Sequence, residues 1–171
     1  WWIANSTVNS AAGVLNISST ANDAMIYMGN LNIDPNIYRY VQVRYRYVSG
    51  PTTPGMQVFF DNGSGLAEAR SQRGVMNMDG NWHYLNLDMS INYSNGNSGW
   101  VGGPNITALR FDFCEQAGMV MEFDFFLVSE DRMVSDQANL VINEGDPDYP
   151  TATSTDYYTR KIDDCGATSC V

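Results

Sequence analysis

"ITALRFDFCEQAGMVMEFDFFLVSE", residues 106–130, is the stretch on which the fold turns. Leu109, Phe111 and Phe113 fall on one side of an extended chain, with Arg110 and Asp112 on the other. In the second half Met121, Phe123 and Phe125 oppose Glu122 and Asp124 in the same way. A period of two on both sides of Gly118 reads as a β-hairpin whose apolar face meets a core. Its charged face would then hold Arg110 beside Glu122 or Asp124 as cross-strand ion pairs.

Outward from this hairpin the same alternation recurs, and helical periodicity is nearly absent. "GVLNIS", "AMIYMG", "YRYVQVRYRYV", "MQVFFD", "EARSQRGVMNM" and "WHYLNLDM" are separated by turn-forming stretches such as "SGPTTPG", "DNGSG" and "MDGN". With the two halves of the opening stretch these runs make eight strands, which suits an all-β, two-sheet antiparallel jelly-roll β-sandwich over residues 1–130. In "VQVRYRYV" Val41, Val43, Tyr45 and Tyr47 share one face, against Gln42, Arg44 and Arg46. The expected core contains Val41, Val43, Leu109, Phe111, Phe123 and Phe125.

At 171 residues, 44% hydrophobic, the chain suffices for one domain with its own core. No apolar run is long enough to cross a bilayer as a helix, and the formal charge of -10 repels phosphate backbones and anionic lipid, so neither nucleic acid nor a membrane is an expected partner. The chain opens on Trp1 rather than Met, which points to processing or to a longer precursor. N-glycosylation sequons stand at Asn5, Asn16, Asn62, Asn92 and Asn105, in modest excess over chance. They point to a secreted, extracellular glycoprotein, with an unglycosylated bacterial surface protein as the alternative. Cys165 and Cys170, in "CGATSC", read as a small disulfide loop, or as separate partners for Cys114 and another chain; a buried Cys114 is the simpler expectation.

After Glu130 the composition changes. Residues 131–171 hold one short apolar segment and then a polar stretch with Pro147 and Pro150, which reads as an extended C-terminal arm or linker. Tyr149, Tyr157, Tyr158 and Ile162 are its sizeable anchors, expected to pack into a groove of a neighbouring copy or domain.

The order of the runs resembles the carbohydrate-binding modules of the galactose-binding-like jelly-roll type, from Trp1 to about Ser129. "DGNWHYLNLDM" and the sequence of a lone Trp, "ITALRFDF" and "MEFDFFLV" carry the resemblance. It implies a non-catalytic domain attached to an enzyme or adhesin, often with a structural calcium near the last strand. Asp124 matches the Asp of the family's closing strand and is the one calcium ligand the resemblance suggests.

For the charged row two uses stand open. Arg44, Arg46 and Arg110 with nearby carboxylates make a solvated ion-pair lattice, or, with Trp82 and Tyr84, a glycan-binding platform on which guanidiniums bond hydroxyls and rings pack on sugar faces. Catalysis finds no footing: the sole histidine, His83, is mid-strand, and no nucleophile stands in an activating context. The first expectation for function is therefore a structural, self-associating extracellular subunit that uses its arm to form filaments or matrix. The alternative is a carbohydrate-binding module of a larger polysaccharide-active enzyme or adhesin.

Overall fold

In the computed structural model two antiparallel sheets pack face to face. The described residues are 1–11, 13–52, 55–92, 96–130 and 158–161, of which residue 11 and residues 158–161 are described by backbone alone. In chain order the strands are β1 (Trp2–Ala4), β2 (Ser6–Ala11), β3 (Val14–Ser19), β4 (Ala24–Met28), β5 (Tyr40–Ser49), β6 (Gly55–Asp61), β7 (Ser71–Val75), β8 (Trp82–Asp88), β9 (Ala108–Cys114), β10 (Val120–Ser129) and β11 (Tyr158–Lys161). One sheet runs β1-β4-β9-β6-β7 and the other β2-β3-β10-β5-β8, with β11 beside β10. From β3 to β6, and again from β7 to β10, each strand lies in the sheet opposite its predecessor. The fold is the all-β jelly-roll sandwich that the alternating runs specify.

This alternation of sheets corrects the hairpin. β9 and β10 follow one another in the chain but belong to different sheets, so Arg110 does not meet Glu122 or Asp124. It bonds Asp112 on its own strand and Asp23 in the approach to β4. β10 pairs instead with β3 and β5. Two strands also lie where no apolar alternation marks them: β1 and β2, in "WIANSTVNSA", are joined at Asn5, whose φ of 54° turns the chain from one sheet into the other.

The core between the sheets includes Val41, Val43, Leu109, Phe111 and Phe123, five of the six expected residues. Phe125 is the exception. In the β5–β10 register Phe123 faces Tyr45 and Phe125 faces Arg44, so Asp124 is an extra residue, a β-bulge. Beyond it the strand's two faces exchange: Phe125 turns outward, and Phe126, 6% exposed, enters the core edge-on to Phe111 at 4.8 Å. Trp100 plugs the core from its Gly-rich loop, fully buried, donating from Nε1 to the Tyr38 carbonyl at 2.7 Å and meeting Phe60 edge-on. At the end of β5 only glycine fits position 50: φ is +102° and a Cβ would stand 2.2 Å from the Gly118 carbonyl oxygen.

Of the expected arm, Tyr149, Tyr157 and Ile162 lie outside the described residues, as do Cys165 and Cys170. The backbone of Tyr158–Lys161 forms β11, paired with Phe125–Val128 of the same chain's β10. It occupies the edge of β10 beyond Phe123, where the pairing with β3 stops.

Candidate functional site

The outer surface of the β2-β3-β10-β5-β8 sheet is assembled by register. Glu122, Arg46 and Trp82 stand opposite one another on β10, β5 and β8, and Asn16 of β3 continues the row. One step along, Phe125, Arg44 and Tyr84 form a second row, with Asp124 of the bulge beside it. Rows on one face are two residues, about 7 Å, apart, and neighbouring strands about 5 Å. Four of the five residues suggested for glycan contact, Arg44, Arg46, Trp82 and Tyr84, therefore share one surface. The fifth, Arg110, is on the opposite sheet and points away from them across the whole sandwich.

Each of these two cations has its own anion. Arg46 donates through Nε to Glu122 Oε2 at 2.8 Å, and Arg44 is ion-paired with Asp124. Asn16 also donates to Glu122, at 3.4 Å. The four charges sum to zero. Both guanidiniums lie against the Trp82 ring, at 4.8 Å for Arg44 and 5.0 Å for Arg46, and Arg44 also lies 5.7 Å from the Tyr84 centroid. Tyr84 and Phe125 meet at 6.0 Å. Such contacts fix long side chains that would otherwise lose rotamer freedom when a ligand binds. The rings and guanidiniums of this surface are all partly exposed. It offers planar stacking surfaces, donors and acceptors in one ordered array.

Asp124, the residue that the resemblance suggested for calcium, is held by Arg44. Among the described residues no three His, Cys, Asp or Glu side chains converge as a metal site. His83 turns inward from β8 and meets Asp79 at 2.7 Å, an interaction that, with backbone donation from Asn81, holds the Asp79 carboxyl down to about 2. Cys114 is a buried free thiol. The sequon asparagines differ in access. Asn105 is exposed, whereas Asn92 is 2% exposed and donates to the Glu68 carbonyl at 2.7 Å, which leaves no room for a glycan. Asn5 donates to the carbonyls of Asn22 and Asp23, Asn16 belongs to the surface described above, and Asn62 is half-buried.

No family model and no curated protein matches the chain. Solved structures to which it is similar include carbohydrate-binding modules. A low-affinity xylan-binding module of Roseburia intestinalis shares 13% identity over 71% of this chain and 84% of that one, with a TM-score of 0.44. A mutant of a family 29 carbohydrate-binding module shares 9% over 73% and 76%, with a TM-score of 0.49. The extra C-terminal domain of an exo-1,3/1,4-β-glucanase from a Pseudoalteromonas species shares 12% over 81% and 76%, with a TM-score of 0.46. The case for a ligand rests on this chain's own surface residues.

Proposed function

We propose that the protein is a non-catalytic, extracellular carbohydrate-binding module, and that a neutral polysaccharide lies along the outer surface of the β2-β3-β10-β5-β8 sheet. The observation that carries this reading is the ordered array of Trp82, Tyr84 and Phe125 with the pairs Arg44–Asp124 and Arg46–Glu122. A charge-balanced surface presents no local excess of charge to a polyanion or a polycation. It recognises instead a ligand with many hydroxyls, which both donate and accept, and with apolar ring faces that lie on aromatic side chains. Self-association through the arm has no such support, since the one described part of the arm pairs with its own sheet.

Affinity electrophoresis in gels containing xylan, xyloglucan or mixed-linkage β-glucan tests this. Retardation by at least one of them is expected, with about tenfold weaker binding for Trp82→Ala, in keeping with the loss of one stacked ring. Migration unaffected by every neutral polysaccharide, or retardation that survives Trp82→Ala combined with Tyr84→Ala, would overturn the reading.

A further inference from the structure

The opposite side of the sandwich carries a different device. Between the outer surface of the β1-β4-β9-β6-β7 sheet and the loop that leads into β7 is an open cavity of about 360 Å³. That volume lies within the range of small-molecule sites, about 300–1,000 Å³. Its floor is Gln57 and Phe59 of β6 with Arg110 and Asp112 of β9, Glu68 and Arg73 form one wall, and Asp23 and Glu115 stand at the rim.

The floor is fixed by its own bonds. Arg110 lies over the Phe59 ring at 5.2 Å and donates to both oxygens of Asp112, at 2.6 and 2.7 Å, and to Asp23 at 2.8 Å. Gln57, 7% exposed, accepts from Arg73 at 2.9 Å and donates to Glu68 and Ser71, each at 2.8 Å. The Phe59 ring, 8% exposed beneath the guanidinium, offers little stacking surface. Recognition here is polar.

Among the lining residues Asp23, Glu68, Asp112 and Glu115 are set against Arg73 and Arg110, which leaves two negative charges in the cavity of a chain already at -10. Carboxylates only accept hydrogen bonds, and two of the four, Asp23 and Asp112, share the single cation Arg110, with Glu115 close enough to Asp112 to act on its charge. Burial and the nearby Asp23 and Glu115 carboxylates push the Asp112 carboxyl up to about 6, against the pull of Arg110. The cavity thus has a deficit of positive charge, which a primary ammonium supplies together with its own hydrogen-bond donors.

We propose that this cavity is a second ligand site, distinct from the surface assigned to neutral polysaccharide, and that it takes a hydroxylated primary ammonium ligand, of which a glucosamine unit with a free amine is the representative form. The ammonium sits between Asp23, Asp112 and Glu115, and the hydroxyls reach Glu68 and Arg73 on the far wall.

Two-dimensional NMR with the glucosamine tetramer as probe and the N-acetylglucosamine tetramer as control tests the site, each titrated at constant ionic strength. Amide shifts around Asp23, Gln57, Asp112 and Glu115 are expected with the free amine alone. The rim pair Asp23→Asn with Glu115→Gln, both exposed, should weaken that binding about tenfold, since each exposed ion pair is worth up to ~1 kcal/mol. Trp82→Ala should leave it unchanged, which separates the fate of this site from that of the polysaccharide surface. Equal shifts with the acetylated tetramer, shifts that vanish in Trp82→Ala, or undiminished affinity in the rim variant would each overturn the proposal.

Discussion

Both outer surfaces of the sandwich carry arginines set among carboxylates and aromatic rings, yet the two are arranged in opposite ways. On the β2-β3-β10-β5-β8 side Arg44 and Arg46 each pair with a carboxylate of a neighbouring strand, the charges cancel, and the rings stay partly exposed. On the β1-β4-β9-β6-β7 side Arg110 pairs along its own strand, covers Phe59, and leaves acid in surplus around a cavity. The same residue types give a stacking surface in one place and a charged recess in the other. Register makes the difference: pairs that run across strands spread flat over the sheet, whereas a pair two residues apart on one strand holds its cation close to the backbone.

The largest effect that can break this comparison lies at the bulge, which places Phe125 on the outer surface. If Asp124 is the extra residue, Phe126→Ala opens a cavity in the core and costs about 3–5 kcal/mol of stability, while Phe125→Ala costs about 1 kcal/mol and weakens polysaccharide binding. Urea denaturation of both variants measures the gap. Equal losses, or a larger loss at Phe125, would place the bulge elsewhere and remove Phe125 from the polysaccharide surface.

A smaller contrast concerns the arginines. Arg110→Ala leaves Asp112, whose side chain is 12% exposed, without its bidentate partner, and about 2 kcal/mol of stability should go with it. Arg46→Ala removes a partly exposed pair and should cost under about 1 kcal/mol. Ligand binding should reverse that order: Arg44→Ala lowers affinity for the retained polysaccharide about tenfold, and Arg110→Ala leaves it unchanged. Isothermal titration of the two variants against that polysaccharide decides the point, and weakened binding in Arg110→Ala would join the two surfaces into one site.

Much of this was legible in the residues. All eight alternating runs contain strands, and the faces of β5 and β8 follow the period of two, so Arg44, Arg46, Trp82 and Tyr84 come together as their spacing requires. The partner of each strand was not legible. Alternation says which side of a strand is wet, but not whether a short link such as 115–119 turns back within a sheet or crosses to the other, and for that reason spacing alone puts Arg110 on the wrong surface. The bulge did leave a trace: in "FDFF" two successive rings break the alternation, and a strand with one dry face can bury both only by inserting a residue or covering its outer side. β10 takes the first course. At Phe59 and Phe60 β6 takes the second, with Arg110 over the outer ring. β1 and β2 leave no such trace, because edge strands held largely by backbone bonds need no apolar alternation.

The smallest predicted effect separates the two surfaces by pH. Asp112 titrates near 6 in the folded protein rather than at its ordinary 3.8, because it is buried and faces Asp23 and Glu115 as well as Arg110, with Gln57, Arg73 and Glu68 across the cavity. Between those two values the folded state keeps a proton that the unfolded chain has released, so this group's contribution favours folding at pH 4 and fades as pH rises through 6. The full shift corresponds to about 3 kcal/mol, and solvent screening reduces it to on the order of 1 kcal/mol. Asp79 works the other way: its carboxyl, held near 2 mainly by His83, favours folding above pH 4 and loses that contribution only in stronger acid. Subtracting the stability of Asp112→Asn from that of the parent protein at each pH isolates the first group from the second. The difference should fall steadily from pH 4 to pH 7. A flat difference would show Asp112 to be an ordinary surface carboxylate, and the cavity would lose the electrostatic deficit that sets it apart from the opposite surface.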